Sequence, residues 1–117
     1  MISEITEILD LNSPTHDRKK EEFRKYLIES IEEVLSFSMV VLNFLELNTS
    51  FKRTNILERP DIFSIELEDL FGNSAKGIED LILERLCKKI NKKYIKDRNM
   101  RFEDSINEAL KGYVKYY

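Results

Sequence analysis

Residues 60–90 read PDIFSIELEDLFGNSAKGIEDLILERLCKKI, and the parsing of this stretch decides the fold. Pro60 stands where a helix opens, at a position whose N–H has no intrahelical partner in any case. Asp61 puts a carboxylate in the first turn, at the positive end of the helix dipole. Ile62, Phe63, Leu67, Leu70 and Phe71 then recur at three- and four-residue spacing. Gly72 stops the repeat, as glycine does at a left-handed C-terminal position. Asn73 or Ser74 caps a second helix, which carries Ile78, Leu81, Ile82, Leu86 and Ile90. The stretch therefore predicts two helices meeting at a capped corner.

Gly72 and Gly77 match the glycine spacing of a phosphate loop, but its other parts are missing. Such a loop needs Lys and then Ser or Thr after the second glycine, and Ile78 and Glu79 stand there. A helix-turn-helix fits the apolar frame better. Against it, Glu68 falls where that motif packs a small residue, and Glu79, Asp80 and Glu84 would repel a phosphate backbone. The corner reads as structural, with Gly77 serving close approach of a neighbouring helix.

The same periodicity extends outward. Ile2, Ile5, Ile8 and Leu9 predict a short N-terminal helix over 2–11. Ser13 and Pro14 then open the longest segment, which runs to Leu47. Leu27, Ile31, Val34, Val41 and Leu45 form its stripe, widened by Ile28, Leu35 and Leu42. From Phe37 to Leu45 apolar residues occupy nearly every side, so this part is expected at the centre, buried all round. The run SFS at 36–38 is a place for a kink or a break, and residues 48–60 read as a polar connection. A last helix over 102–117 carries Phe102, Ile106, Leu110, Tyr113 and Tyr117. No alternating stretch long enough for a strand appears. The expected fold is all-α, a compact bundle of four to five helices. It forms a single domain over 1–117, with a core of 15–94 flanked by the two terminal helices.

Composition agrees. The chain has 117 residues, 42% apolar and 35% charged, with three Gly and two Pro, which favours long helices over a many-turned β fold. No leader resembling a signal peptide opens it. Its longest apolar-rich run, Val34 to Leu45, is short of a membrane span. One cysteine, Cys87, leaves no intrachain disulfide, and a cytoplasmic location is expected.

The pattern of Pro60, Phe63, Leu67, the FG at 71–72, Ala75 and then Ile78, Leu81, Ile82 and Leu86 resembles a small archaeal output-domain family, formerly a domain of unknown function. IESIEEVLSFSMVVLNFL at 28–45 resembles the first half of that family more weakly, with SFS where a short glycine turn is expected. The resemblance covers residues 28–90 and brings no catalytic motif. It implies an α-helical signal-output or regulatory module.

Candidate sites follow from residue chemistry. Cys87 lies on an apolar or boundary face, where a thiol behaves as a small hydrophobe. His16 and Cys87 are too few ligands for zinc. The acid pairs Glu32/Glu33, Glu68/Asp69 and Glu79/Asp80 are chain neighbours, pointing apart on a helix, and read as solvated faces rather than a shared catalytic cleft. No catalytic, cofactor or metal site is expected.

Charge is uneven within a net of −3. Residues 56–84 hold eight acids against Arg59 and Lys76, whereas 85–117 hold ten bases against four acids. Arg85, Lys88, Lys89, Lys92, Lys93, Lys96, Arg98 and Arg101 form a basic strip, a candidate contact for a polyanion or an acidic partner, with Tyr94 available for stacking. Tyr94, Tyr113, Tyr116 and Tyr117 form a candidate interface, since exposed tyrosines are enriched at protein contacts. The sequence thus points to a non-enzymatic regulatory or protein-interaction module that self-associates. The alternative is nucleic-acid binding through residues 85–101. A membrane partner is not expected.

Overall fold

Helical spacing of apolar side chains becomes helices wherever the expectation can be checked. A computed structural model describes residues 14–35, 38–96 and 99–116, with side chains from residue 17 and not at 38 or 116. The helix expected at 2–11 lies outside these residues. Among the described residues the chain forms α1 (Pro14–Val34), α2 (Ser38–Asn48), a 3-10 turn (Arg53–Asn55), α3 (Pro60–Phe71), a second 3-10 turn (Gly72–Ser74), α4 (Ala75–Lys89) and α5 (Phe102–Tyr116), with no strand. The fold is a small all-α bundle.

The α1 and α3 helices each pack against both α4 and α5, and α2 lies on α1. The shared core holds Phe23, Leu27 and Ile31 of α1, Leu42 and Leu45 of α2, Phe63 and Leu67 of α3, Ile82 and Leu86 of α4, and Phe102 and Ile106 of α5. At its middle the Phe63 ring lies 5.5 Å from that of Phe51 and 5.8 Å from that of Phe102. Each such ring contributes about 1.5–3 kcal/mol through burial. The α5 helix is therefore part of the core and not an appendage to it.

One open local expectation is decided and three are corrected. The long segment is two helices: α1 ends at Val34, with Leu35 outside helical geometry, and α2 starts at Ser38. The connection after α2 is more than polar, because Phe51, Ile56 and Leu57 are buried and anchor it. Thr49 turns the chain there: its hydroxyl donates to the Leu45 carbonyl at 2.6 Å and accepts the Phe51 N–H at 3.0 Å. The third concerns the corner. Gly72 does take a positive φ of 58°, but its ψ of −130° is not left-handed helical. A Cβ is disfavoured there, so the glycine is required by conformation rather than by space. The chain leaves it directly into a 3-10 turn, and Ser74 has helical backbone with no capping hydrogen bond from its side chain. Last, Gly77 does not serve close approach: it is exposed, and a Cβ placed on it would meet nothing within 4 Å.

Candidate interaction surface

The basic strip begins on α4, whose outer side faces acids of α1. Lys89 Nζ lies 2.6 Å from Glu33 and 3.7 Å from Glu29, and Arg85 Nη1 lies 3.6 Å from Glu33. The hydrogen bond from Lys89 holds the Glu33 carboxyl below its ordinary range, and the same bond raises the Lys89 ammonium. Lys88 pairs with Glu84 at 3.9 Å, one turn earlier on α4. Lys96 reaches back to Asp80 at 3.3 Å, and Arg101 lies 3.2 Å from both Glu103 and Asp104. Lys92 and Lys93 are exposed and have no carboxylate partner among the described residues. Arg98 lies outside them. Five of the bases thus meet acids inside one subunit, and those acids are divided among α1, α4 and the start of α5.

The tyrosine cluster is divided as well. Tyr94 donates to Asp80 Oδ1 at 3.1 Å, and burial followed by the Asp80 charge pushes its phenol up to about 12. Tyr113 donates to Glu22 Oε1 at 2.8 Å, and its ring lies 6.0 Å from that of Phe23 and 6.2 Å from that of Tyr26. Burial and the Glu22 bond raise its phenol. Both rings are half-buried and fasten elements of the subunit to each other. The side chain of Tyr116 and the whole of Tyr117 lie outside the described residues.

The Glu79/Asp80 pair is also corrected. These residues are 4% and 8% exposed and do not form a solvated face. Ser64 of α3 donates to Glu79 Oε2 at 2.5 Å, tying α3 to α4, and burial raises the Glu79 carboxyl. Asp80 gathers Tyr94, Lys96 and Lys76, the last at 3.6 Å. It thereby fastens the segment after α4 onto that helix. Glu79 and Ser64 line an open groove of about 490 Å³ with Asp61, Glu68, Lys76 and Arg101. Cys87 is buried as expected, and burial raises its thiol.

The surface that sequence reasoning missed is on α2. This helix was expected to be buried all round, yet only Leu42 and Leu45 are fully inside. Met39, Val40, Phe44 and Leu47 are exposed by 55%, 67%, 48% and 85%. At 3.6 residues per turn these four fall within about 140° of arc, opposite the buried pair, with Asn43 among them. The reason is position: among the described residues α1 is the helix on which α2 chiefly packs.

The orientation of α2 is fixed by its C-terminal end. Glu46 accepts from the Arg53 guanidinium at 2.9 Å and from the Arg53 N–H at 2.9 Å, which holds its carboxyl below the ordinary range. The same guanidinium donates to Asn43 Oδ1 and lies 3.8 Å from the Met39 sulfur. Lys52 donates to the Glu46 carbonyl at 2.7 Å. The apolar stripe is thus presented by a clamped helix.

A usable signal was present in the sequence. A short helix with no charged residue before Glu46 is either enclosed or an interface, so an interface was a reading open beside burial. Among the described residues no group of acids, histidine and cysteine is placed to hold a metal ion, and no helix is long and apolar enough to cross a membrane. No family model, no curated protein and no solved structure matches this chain.

Proposed function

We propose that the protein is a non-catalytic helical interaction module, with a regulatory or signal-output role, whose docking surface is the outward side of α2. One observation carries this reading: a clamped helix shows water a second apolar side made of Met39, Val40, Phe44 and Leu47. The largest apolar patch on a folded monomer, typically about 300–600 Å², is often a functional one. The stripe's own side chains carry no charge, and the Arg53 guanidinium that borders it at Met39 and Asn43 is paired with Glu46, which suits docking of another apolar helix face.

The nucleic-acid alternative has less behind it. Arg85, Lys88, Lys89, Lys96 and Arg101 already sit beside carboxylates, leaving Lys92 and Lys93 as an exposed pair. Titration with duplex and single-stranded nucleic acid at two salt concentrations checks it, since phosphate contact gives a steep loss of affinity with salt.

The docking reading is tested with an anilinonaphthalene sulfonate dye at low micromolar protein. Dye fluorescence is expected with the native chain and to fall several-fold in the double variant Val40→Lys/Leu47→Lys. Stability should move by less than about 0.5 kcal/mol per substitution. Equal dye binding by both proteins would overturn the reading, because the stripe would then be covered within the chain.

A further inference from the structure

Building on the reading of α2 as a docking face, we infer that its occupant is the same face of a second copy, packed antiparallel about a two-fold axis through Asn43. A two-fold interface places a patch against itself, so it must be self-complementary. A patch carrying one sign of charge would repel its own image, whereas the α2 stripe is uncharged. Its nearest ionic groups, Arg53 and Glu46, already neutralise each other at 2.9 Å, so closure buries no orphan charge there.

The order of residues is also symmetric. Met39, Asn43 and Leu47 form one row at four-residue spacing, with Asn43 at its middle. Antiparallel packing about Asn43 sets Met39 against the partner's Leu47 and Leu47 against the partner's Met39. Rows of this spacing are the ridges that interdigitate in the commonest helix–helix packing. Asn43 meets its own image at the axis. Its Oδ1 is engaged by Arg53, and its amide N–H groups are available to the facing carboxamide. One polar residue in an apolar seam fixes register at some cost in stability.

Area sets the strength. The four exposures add up to about two and a half fully exposed side chains, or about 500 Å² per copy at about 200 Å² each. Two copies then bury about 1,000 Å², the lower edge of specific interfaces. An area of this size fits a reversible dimer rather than an obligate one.

The test is sedimentation equilibrium on the full chain from about 1 to about 500 μM, where mass action favours any dimer at the upper end. The native chain is expected to pass from monomer to dimer, with Leu47→Glu and Val40→Glu each weakening the dimer more than tenfold while keeping native far-ultraviolet dichroism. Cysteine pairing then reads the geometry, because Cys87 is buried and does not compete. Asn43→Cys is expected to oxidise to a covalent dimer. Met39→Cys mixed with Leu47→Cys should cross-link better than Leu47→Cys alone.

A chain that stays monomeric throughout overturns the second-copy inference. If the dye still reports the α2 stripe, the docking reading survives and the occupant is a different protein. A dimer indifferent to Leu47→Glu and Val40→Glu, or one that fails to link through position 43, also overturns the inference. Loss of both dimer and dye binding removes the underlying reading too.

Discussion

α2 and α4 break the inside-out rule for side chains in opposite directions. α2 spans 11 residues and turns four large apolar side chains to water, while α4 spans 15 and hides two carboxylates. The two exceptions have different standing. Every buried acid on α4 has acquired a partner: Ser64 for Glu79, and Tyr94, Lys76 and Lys96 for Asp80. Their burial is explained inside the subunit, where they act as ties between elements. Among the described residues the outward side of α2 has no such explanation. An exception that the subunit satisfies is architecture, and one that it leaves open points to something outside.

That contrast can be broken experimentally, and the largest effect is expected on α4. Asp80→Ala leaves the Tyr94 hydroxyl without its acceptor and releases Lys96, and the cost should be about 1–3 kcal/mol. Urea unfolding would show it as a lower midpoint with an unchanged slope. In a cycle with Tyr94→Phe, the two losses should be less than additive because they remove one contact. Full additivity would mean that the Asp80–Tyr94 bond contributes nothing.

A smaller effect, of definite sign, is expected at Glu79. Its carboxyl is raised by burial, so the native state keeps a proton over a pH range where the unfolded chain has released it. Stability from this group is therefore fully present below the ordinary carboxylate range and declines as pH rises through the raised value. Glu79→Gln stays neutral at every pH and can still accept from Ser64. The gap in unfolding temperature between variant and native chain should widen in favour of the variant from about pH 4 to about pH 8. A constant gap would show that Glu79 is as well solvated as an ordinary surface acid.

The smallest effect on folding belongs to α2. Leu47→Lys removes an apolar side chain that touches water over most of its surface, and it should shift monomer stability by less than about 0.5 kcal/mol, with either sign. Chemical denaturation at low protein concentration checks it. A loss of several kcal/mol would place Leu47 in a core and erase the contrast between the two helices.

Much of this architecture was legible in the residues themselves. Pro60, the spacing of Phe63 and Leu67, and Gly72 marked a helix and its end within a residue. Phe102 and Ile106 announced the last helix and its inner face. The faces were harder to read. Leu81 and Leu70 are exposed although both fit a helical stripe, while Leu83, Glu79 and Asp80 lie inside. A helix covered on more than one side has no unique inner face in its own periodicity, so its neighbours choose which residues are hidden. The surroundings of the basic strip were hidden for a related reason. The strip looked like a free cationic surface in part because Glu29 and Glu33, which meet Arg85 and Lys89, are more than fifty residues away along the chain.

The sequence alone determined that the chain would be helical and roughly where its helices begin and end, because those are questions of local backbone chemistry and of spacing over a few residues. Tertiary structure alone decided which charges neutralise one another, which acids are buried and which apolar side of α2 is left uncovered. Those outcomes depend on where distant segments come to lie, and no single segment carries that information.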